Sequence, residues 1–424
     1  WDVARAIHVG DLTHWLSTQY PNEWEKVAPA TASDEVNKRS ITKLLDRIHK
    51  ILQSPYSLTK VTREISGGML GTLKKGFSHV ANGNAKFGPL VAFYPENPLY
   101  TDAVERAQEN RLRVMNQVRF DTNSTETIDL VLLLNGIPIA TIELKTDNTQ
   151  SVHHAMAQYK RDRKPSDSRT LLRPGRTLVH FAVSSTEIYR TTELAGPETR
   201  FLPFNQGYEG RGGNPPSVSG SQTAYLWEKV LQPELFLRIL RDYALWEPDR
   251  TGSGGRLIFP RYHQLRATER VMSHIATNGV GGRYLIQHSA GSGKTKTIAW
   301  LAHRANRVVD GSGHAIFNSV IVVSEGLGLL KASDNMVINV TNADGAKSRQ
   351  LREALAEGGH IISTTIQTFP ALARIFETDP EMAGRNYCVI IDEAHSSQHG
   401  QAAKKLREKL VDADIDEFEG DDAI

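Results

Sequence analysis

The 424-residue sequence contains one cysteine, Cys388. A single thiol excludes an internal disulfide framework and fits a reducing compartment such as the bacterial or archaeal cytoplasm. No run of about 18 apolar residues occurs, so no helix is expected to span a bilayer. The N-terminus lacks a charged segment leading into an apolar one, so no secretory signal is legible. The first residue is Trp1, and the chain reads as part of a longer protein. An excess of one charge is also missing: 50 Lys and Arg against 48 Asp and Glu leave a formal +2, weak support for a nucleic-acid partner. With 39% apolar and 23% charged residues the composition is that of a globular protein. The length suggests two or three domains.

Local distribution is more informative than the total. Residues 155–176 carry Lys160, Arg161, Arg163, Lys164, Arg169, Arg173 and Arg176 against Asp162 and Asp167. Such a stretch could track phosphates or could be a solvated helix face and loop. Apolar spacing predicts a helix over 35–53 and another from His153 to Arg163. Strands are expected at Leu90 to Tyr94, Val114 to Phe120, Ile128 to Leu134, Ile139 to Lys145 and Leu178 to Ser184. These elements make an α/β domain over 1–195. Residues 196–255, rich in Gly, Pro, Asn and Ser around a helix-like stretch at 225–245, read as a connector. A second α/β unit runs over 256–411, followed by an acidic segment, 412–424, that looks like a linker. Cys388, just before the apolar run Val389-Ile390-Ile391, reads as a core residue of a buried strand.

Two groupings carry chemistry. The first is Asp129 with Glu143 and Lys145. Phosphodiester hydrolysis needs a divalent metal held by carboxylates and a means of activating water. Asp129 and Glu143 can supply the carboxylates, and Lys145, two residues after Glu143 on a strand, shares its face. The pattern alone is weak, since an amphipathic strand with surface charges would look the same. It does make a demand on register. A two-residue loop at Asn135-Gly136 would set Asp129 against Ile142 and turn Glu143 to the opposite face. The chemistry requires a three-residue loop or a bulge near Gly136, which sets Asp129 across from Glu143.

The second grouping is Ser289-Ala290-Gly291-Ser292-Gly293-Lys294-Thr295 after an expected apolar strand, Tyr284-Leu285-Ile286, and before a helix at 296–304. Glycines let backbone N–H groups approach phosphate at a helix N-terminus. Lys294 is placed to contact the β- and γ-phosphates, and Thr295 to ligate magnesium. Asp392-Glu393-Ala394-His395 ends a second apolar strand. There Asp392 is expected to hold magnesium and Glu393 to act on the attacking water. The adjacent pair His153-His154 does not share a helix face and is not a zinc site.

The segments NRLRVMNQVRF (110–120), IDLVLLLNGIPIATIELK (128–145) and HHAMAQYKRDR (153–163) resemble the nuclease domain of the restriction subunit of type I restriction–modification enzymes. So do LGTLKKGF (70–77), FGPLVAFYPENP (87–98), FLPFNQGYEGRGGNP (201–215) and TAYLWEKVL (223–231). The resemblance implies a PD-(D/E)xK nuclease domain followed by a RecA-like superfamily 2 helicase domain. It implies that Asp129 and Glu143 ligate magnesium, that Lys145 completes the triad and that Gln158 assists. Asp162 stands where that family's assisting Tyr would be. His288 replaces the first Gly of the nucleotide loop, similar to the superfamily 2 form. Gln264, in Phe259-Pro-Arg-Tyr-His-Gln264, resembles an adenine-reading residue, and His395 is implied to couple hydrolysis to DNA. Ile361 to Gln367 resembles a strand-end DNA contact or is simply a polar strand end. Ser324 to Lys331 departs from the family's pattern.

The resemblance further implies ATP and magnesium as cofactors and double-stranded DNA as substrate. It implies methyltransferase and specificity subunits as partners, with S-adenosylmethionine acting only through them. A stand-alone repair helicase–nuclease is the rival enzyme. A third reading is a nucleotide- and DNA-binding module without turnover, since superfamily 2 motors complete the ATP site from a second RecA-like domain.

Overall fold

The computed structural model describes residues 1–58, 64–147, 150–218, 220–249, 251, 254–289, 291–324, 337–339, 346–365 and 369–392. The chain divides into two compact units, one reaching Tyr262 and one beginning at His263, with residues 96–99 belonging to the second.

The first unit is built on a six-stranded sheet whose strands lie side by side in chain order. They are β1 (Leu112–Arg119), β2 (Thr127–Leu134), β3 (Ile137–Leu144), β4 (Val179–Val183), β5 (Ile188–Thr191) and β6 (Leu202–Pro203). All neighbours are antiparallel except β3 and β4. A parallel step needs a crossover, and helix α1 (Val152–Arg161) lies within it. Its Val152, Ala155 and Tyr159 are buried, Tyr159 in one cluster with Val131 and Leu133 of β2. Seven of the eight residues of β3 are buried, so this strand is covered on both faces.

The β2–β3 hairpin resolves the register question. Asn135 and Gly136 form a two-residue turn with φ of 50° and 82°, the left-handed pair that twists in step with the flanking strands. Leu134 pairs with Ile137 and Leu133 with Pro138, but Leu132 pairs with Ala140. Ile139 is the extra residue of a bulge, and beyond it Leu130 faces Ile142. Continued by one residue, that register sets Asp129 opposite Glu143. Of the two devices expected, the chain uses the bulge and keeps the two-residue loop. The turn is fixed from both sides: Asn135 Nδ2 donates to the Leu90 carbonyl at 2.9 Å, and the Gly136 carbonyl accepts from the His8 amide at 2.9 Å.

The structure corrects several expectations. Leu90, Val91 and Ala92 are buried, but 90–94 is irregular chain rather than a strand. The expected connector, 196–255, belongs to the first unit, its Phe236, Ile239, Leu240 and Tyr243 buried. Lys74 Nζ donates to the Arg241 carbonyl at 3.1 Å and Arg241 Nη1 to the Tyr94 carbonyl at 2.7 Å, so this segment is pinned to the elements before it.

The second unit holds a four-stranded parallel sheet in the order β8 (Val337–Asn339), β9 (Ile361–Thr364), β7 (Ser319–Val323), β10 (Tyr387–Ile391). Helix α2 (Lys294–Ala305) packs Leu301, Ala302 and Ala305 into the same cluster as Val320, Val322, Cys388 and Ile390. Cys388 is thus a packing residue of β10, and burial pushes its thiol up to about 12. The expected strand at 284–286 does not form: these residues pair with no strand among those described, and Leu285 is 87% exposed.

The turn offers a direct test. A Cβ on Gly136 would strike the His8 carbonyl and Leu12 in a left-handed conformation that only glycine takes without strain. Gly136→Ala is expected to lower stability by about 1–3 kcal/mol in urea unfolding. No loss would show that this close approach is not required.

Candidate nuclease centre and nucleotide loop

Asp129 and Glu143 meet at the open end of the hairpin. Asp129 is half-buried; its Oδ2 accepts from the Leu144 amide at 2.8 Å and its Oδ1 from Gln117 Nε2 at 3.2 Å. Glu143 is fully buried, and its Oε1 accepts from Arg163 Nε at 2.8 Å. Burial, and secondarily the Asp129 charge, push the Glu143 carboxyl up to about 7 against the opposing pull of Arg163. Its Oε2 is buried and accepts no hydrogen bond. A carboxylate oxygen left without a donor beside a second carboxylate is short of positive charge. The donor set, two hard carboxylates on paired strands, fits magnesium, which keeps several waters in its shell. Among the described residues no group of three or more His, Cys, Asp or Glu is placed to hold a metal ion. A cation here would therefore be held by this pair, with water completing its shell.

Arg163 is itself fixed. It is buried, its Nη2 donates to the Thr127 carbonyl at 2.9 Å, and its guanidinium lies 4.8 Å from the Phe120 ring centroid. The basic stretch is therefore no continuous phosphate track. Arg163 and Arg176 are interior, and Arg169 is bound to Asp121 at 2.7 Å. Lys145 lies one residue past the end of β3, its amide donating to the Val183 carbonyl at 2.9 Å. Gln158 is half-buried on α1, and no hydrogen bond joins its side chain to either carboxylate among the described residues. The next residue, Tyr159, is fully buried, and burial followed by the Glu143 charge holds its hydroxyl un-ionised. Its hydroxyl bonds Thr141 Oγ1 at 2.8 Å, which bonds His180 Nδ1 at 2.7 Å. Burial drops His180 to about 3, so this imidazole is neutral.

In the second unit Gly291 and Gly293 take left-handed φ of 73° and 93°, and α2 starts at Lys294. Ser292 is buried with its Oγ unpartnered, a free polar group where a phosphate would lie. Gln264 Nε2 donates to the Gly293 carbonyl at 3.0 Å, so the sequence-expected adenine reader is seated on the loop backbone. Thr295 is exposed in the first turn of α2. Asp392 follows β10, its amide donating to the Val323 carbonyl at 2.9 Å, at the carboxyl ends of the strands where α/β sheets bind ligands. Glu393 and His395 lie outside the described residues, as do Gln367, 325–331 and 412–424.

Residues 19–199 match the family described as type I restriction enzyme R protein N terminus, and 263–420 match the SWI2/SNF2 ATPase family. The type I restriction enzyme HindI endonuclease subunit of Haemophilus influenzae is 26% identical over 310 residues, covering 70% of this chain and 28% of its own. The type I restriction enzyme SsaAORF53P endonuclease subunit of Staphylococcus saprophyticus is 25% identical over 335 residues, covering 74% and 32%. A third relative, from Methanocaldococcus jannaschii, is 25% identical over 262 residues, covering 60% and 23%. The chain is a relative of type I restriction endonuclease subunits. It spans about a quarter to a third of the length of those it matches. The R-protein match encloses Asp129, Glu143, Lys145 and Arg163, and the ATPase match encloses the nucleotide loop and Asp392.

Sequence reasoning missed Arg163 as a partner of Glu143 and Gln117 as a partner of Asp129. The only signals available were a basic residue just past the end of α1 and a polar residue in an edge strand, and neither is distinctive without the register.

The pair Glu143–Arg163 has measurable consequences. Removing Arg163 leaves a buried carboxylate without its cation, so Arg163→Ala is expected to cost about 3–5 kcal/mol. The loss is larger at pH 8 than at pH 5, where Glu143 can take a proton. The folded-state pKa of Glu143, about 7, lies above the ordinary carboxyl value. Its contribution to folding is therefore full at low pH and is lost as pH rises through 7. In metal-free buffer, melting from pH 5 to 8 is expected to show this decline in the wild type and not in Glu143→Gln. Parallel pH profiles would contradict the assignment.

Proposed function

We propose that this chain supplies the DNA-cleaving centre and the first ATP-binding motor domain of a type I restriction enzyme. The observation that carries the proposal is the bulged hairpin, which sets Asp129 against Glu143 with Lys145 two residues on, inside the R-protein match. In this reading Asp129 and Glu143 hold magnesium, Arg163 offsets part of the cost of burying the Glu143 charge, and Lys145 stabilises the charge that builds on the phosphate. Magnesium, when bound, supplies Lewis acidity and lowers the pKa of water. Gln158 assists from α1. The Asp129 charge adds to the burial that raises Glu143, and a bound cation would oppose both.

In the motor unit, Gly291, Ser292 and Gly293 cradle the phosphates of ATP, Lys294 neutralises their charge, and Thr295 with Asp392 holds the accompanying magnesium. Glu393 orients water, His395 couples hydrolysis to DNA, and Gln264 reads the base while bracing the loop. Hydrolysis would drive movement of double-stranded DNA, with cutting away from the recognised sequence. Recognition and methylation would rest with specificity and methyltransferase subunits, which would use S-adenosylmethionine, all in the cytoplasm. No helix among the described residues is long and apolar enough to cross a membrane.

Plasmid cleavage by the assembled complex tests this. Lys145→Ala is expected to slow cutting by about 100-fold or more while ATP hydrolysis persists, since it removes one stabiliser of transition-state charge. Lys294→Ala is expected to abolish both. Cutting by Lys145→Ala at the wild-type rate would overturn the nuclease assignment.

A further inference from the structure

Gln117 lies within the edge strand β1 with φ of 48°. A residue with a Cβ is seldom held in that region, least of all inside a strand, and stays there only where its surroundings impose it. The flanking pairs, Asn116 with Leu130 and Val118 with Ile128, leave Gln117 directly across from Asp129. Its amide bridges two partners: Nε2 donates to Asp129 Oδ1 at 3.2 Å, and Oε1 accepts from Thr127 Oγ1 at 2.7 Å. The carboxylate can only accept, so the NH2 end must face Asp129, and the Thr127 hydroxyl donates to the carbonyl end. Thr127 also accepts Arg163 Nη2 on its own carbonyl at 2.9 Å. One residue at the start of β2 thus braces the side chain that holds Asp129 and the side chain that holds Glu143.

We propose that Gln117 is a positioning residue of the nuclease centre, its left-handed backbone retained because it aims the amide at Asp129 and fixes that carboxylate for a divalent cation. This rests on reading Asp129 and Glu143 as a metal-binding pair. With the Leu144 amide on Oδ2, Gln117 stops the Asp129 carboxylate from rotating, while each oxygen keeps a second lone pair for the cation. Partners of this kind orient metal ligands and are felt in metal affinity. The competing explanation is a purely structural irregularity that blunts an exposed sheet edge.

The two are separated by a substitution that relieves the backbone while removing the amide. Calorimetric titration of the 424-residue chain with Mn2+ would be run beside thermal melts for the wild type, Gln117→Gly, Gln117→Asn and Asp129→Asn. Gln117→Gly is expected to melt at or above the wild-type temperature, because glycine adopts this φ freely, and to bind Mn2+ about 10-fold more weakly or worse. Gln117→Asn, which tolerates the left-handed region but is one methylene shorter, is expected to fold and also bind weakly. On the Asp129→Asn background Gln117→Gly should add no further loss. Mn2+ binding by Gln117→Gly within two-fold of wild type would overturn the proposal, as would a further loss on the Asp129→Asn background. A melting temperature of Gln117→Gly well below wild type would overturn the claim of strain. If the wild type bound no Mn2+, or Asp129→Asn bound it equally well, the nuclease reading itself would fail and this inference with it.

Discussion

A carboxylate carried to zero exposure on a strand covered on both faces is the constraint on which the first unit turns. An ionised Glu143 can be there only if something answers its charge, and Arg163 does so from just beyond the end of α1. That pairing requires the β3–α1 crossover to return the chain beside the strand it left. It also requires the bulge at Ile139, without which Glu143 would point to the other side of the sheet. Turn, bulge, helix and ion pair are one linked solution. The Asn135-Gly136 turn is anchored to Leu90 and His8, which fixes the closed end of the hairpin from which the register runs.

What the ion pair leaves over defines the chemistry. Arg163 satisfies one oxygen of Glu143, and the other stays buried without a donor beside Asp129. A centre satisfied on every atom would be structural. One that holds its carboxylates rigid and leaves an oxygen open suits the cation site proposed for it. The second unit shows the same economy, with Ser292 Oγ unpartnered between two left-handed glycines and Gln264 bracing the loop.

Much of this was legible in the sequence, for definable reasons. The hairpin strands follow from apolar runs around Asn-Gly, the helix over 34–52 from its spacing, and the bulge from the demand that two carboxylates share a face. Other features were hidden because local pattern and tertiary packing disagree. Leu90 to Ala92 are apolar because they are buried, yet the chain there is irregular. Arg163 and Arg176 look like surface charge in a basic run, but Arg163 is held on Glu143 at 2.8 Å and Arg176 donates to the Ala6 carbonyl at 2.7 Å. Residues 196–255 have the composition of a linker and the burial of a packed segment. Gln117 carries no distinctive signal until β1 is laid against β2.

Asp129 and Glu143, set opposite one another by the bulge, are proposed to form one divalent-cation site. The most direct measurement is anomalous diffraction from a crystal soaked in Mn2+. A peak between these two carboxylates, within coordination distance of Glu143 Oε2 and an Asp129 oxygen, is the result expected. An ordered hairpin with no peak there, or with Mn2+ bound away from Glu143, would contradict the account.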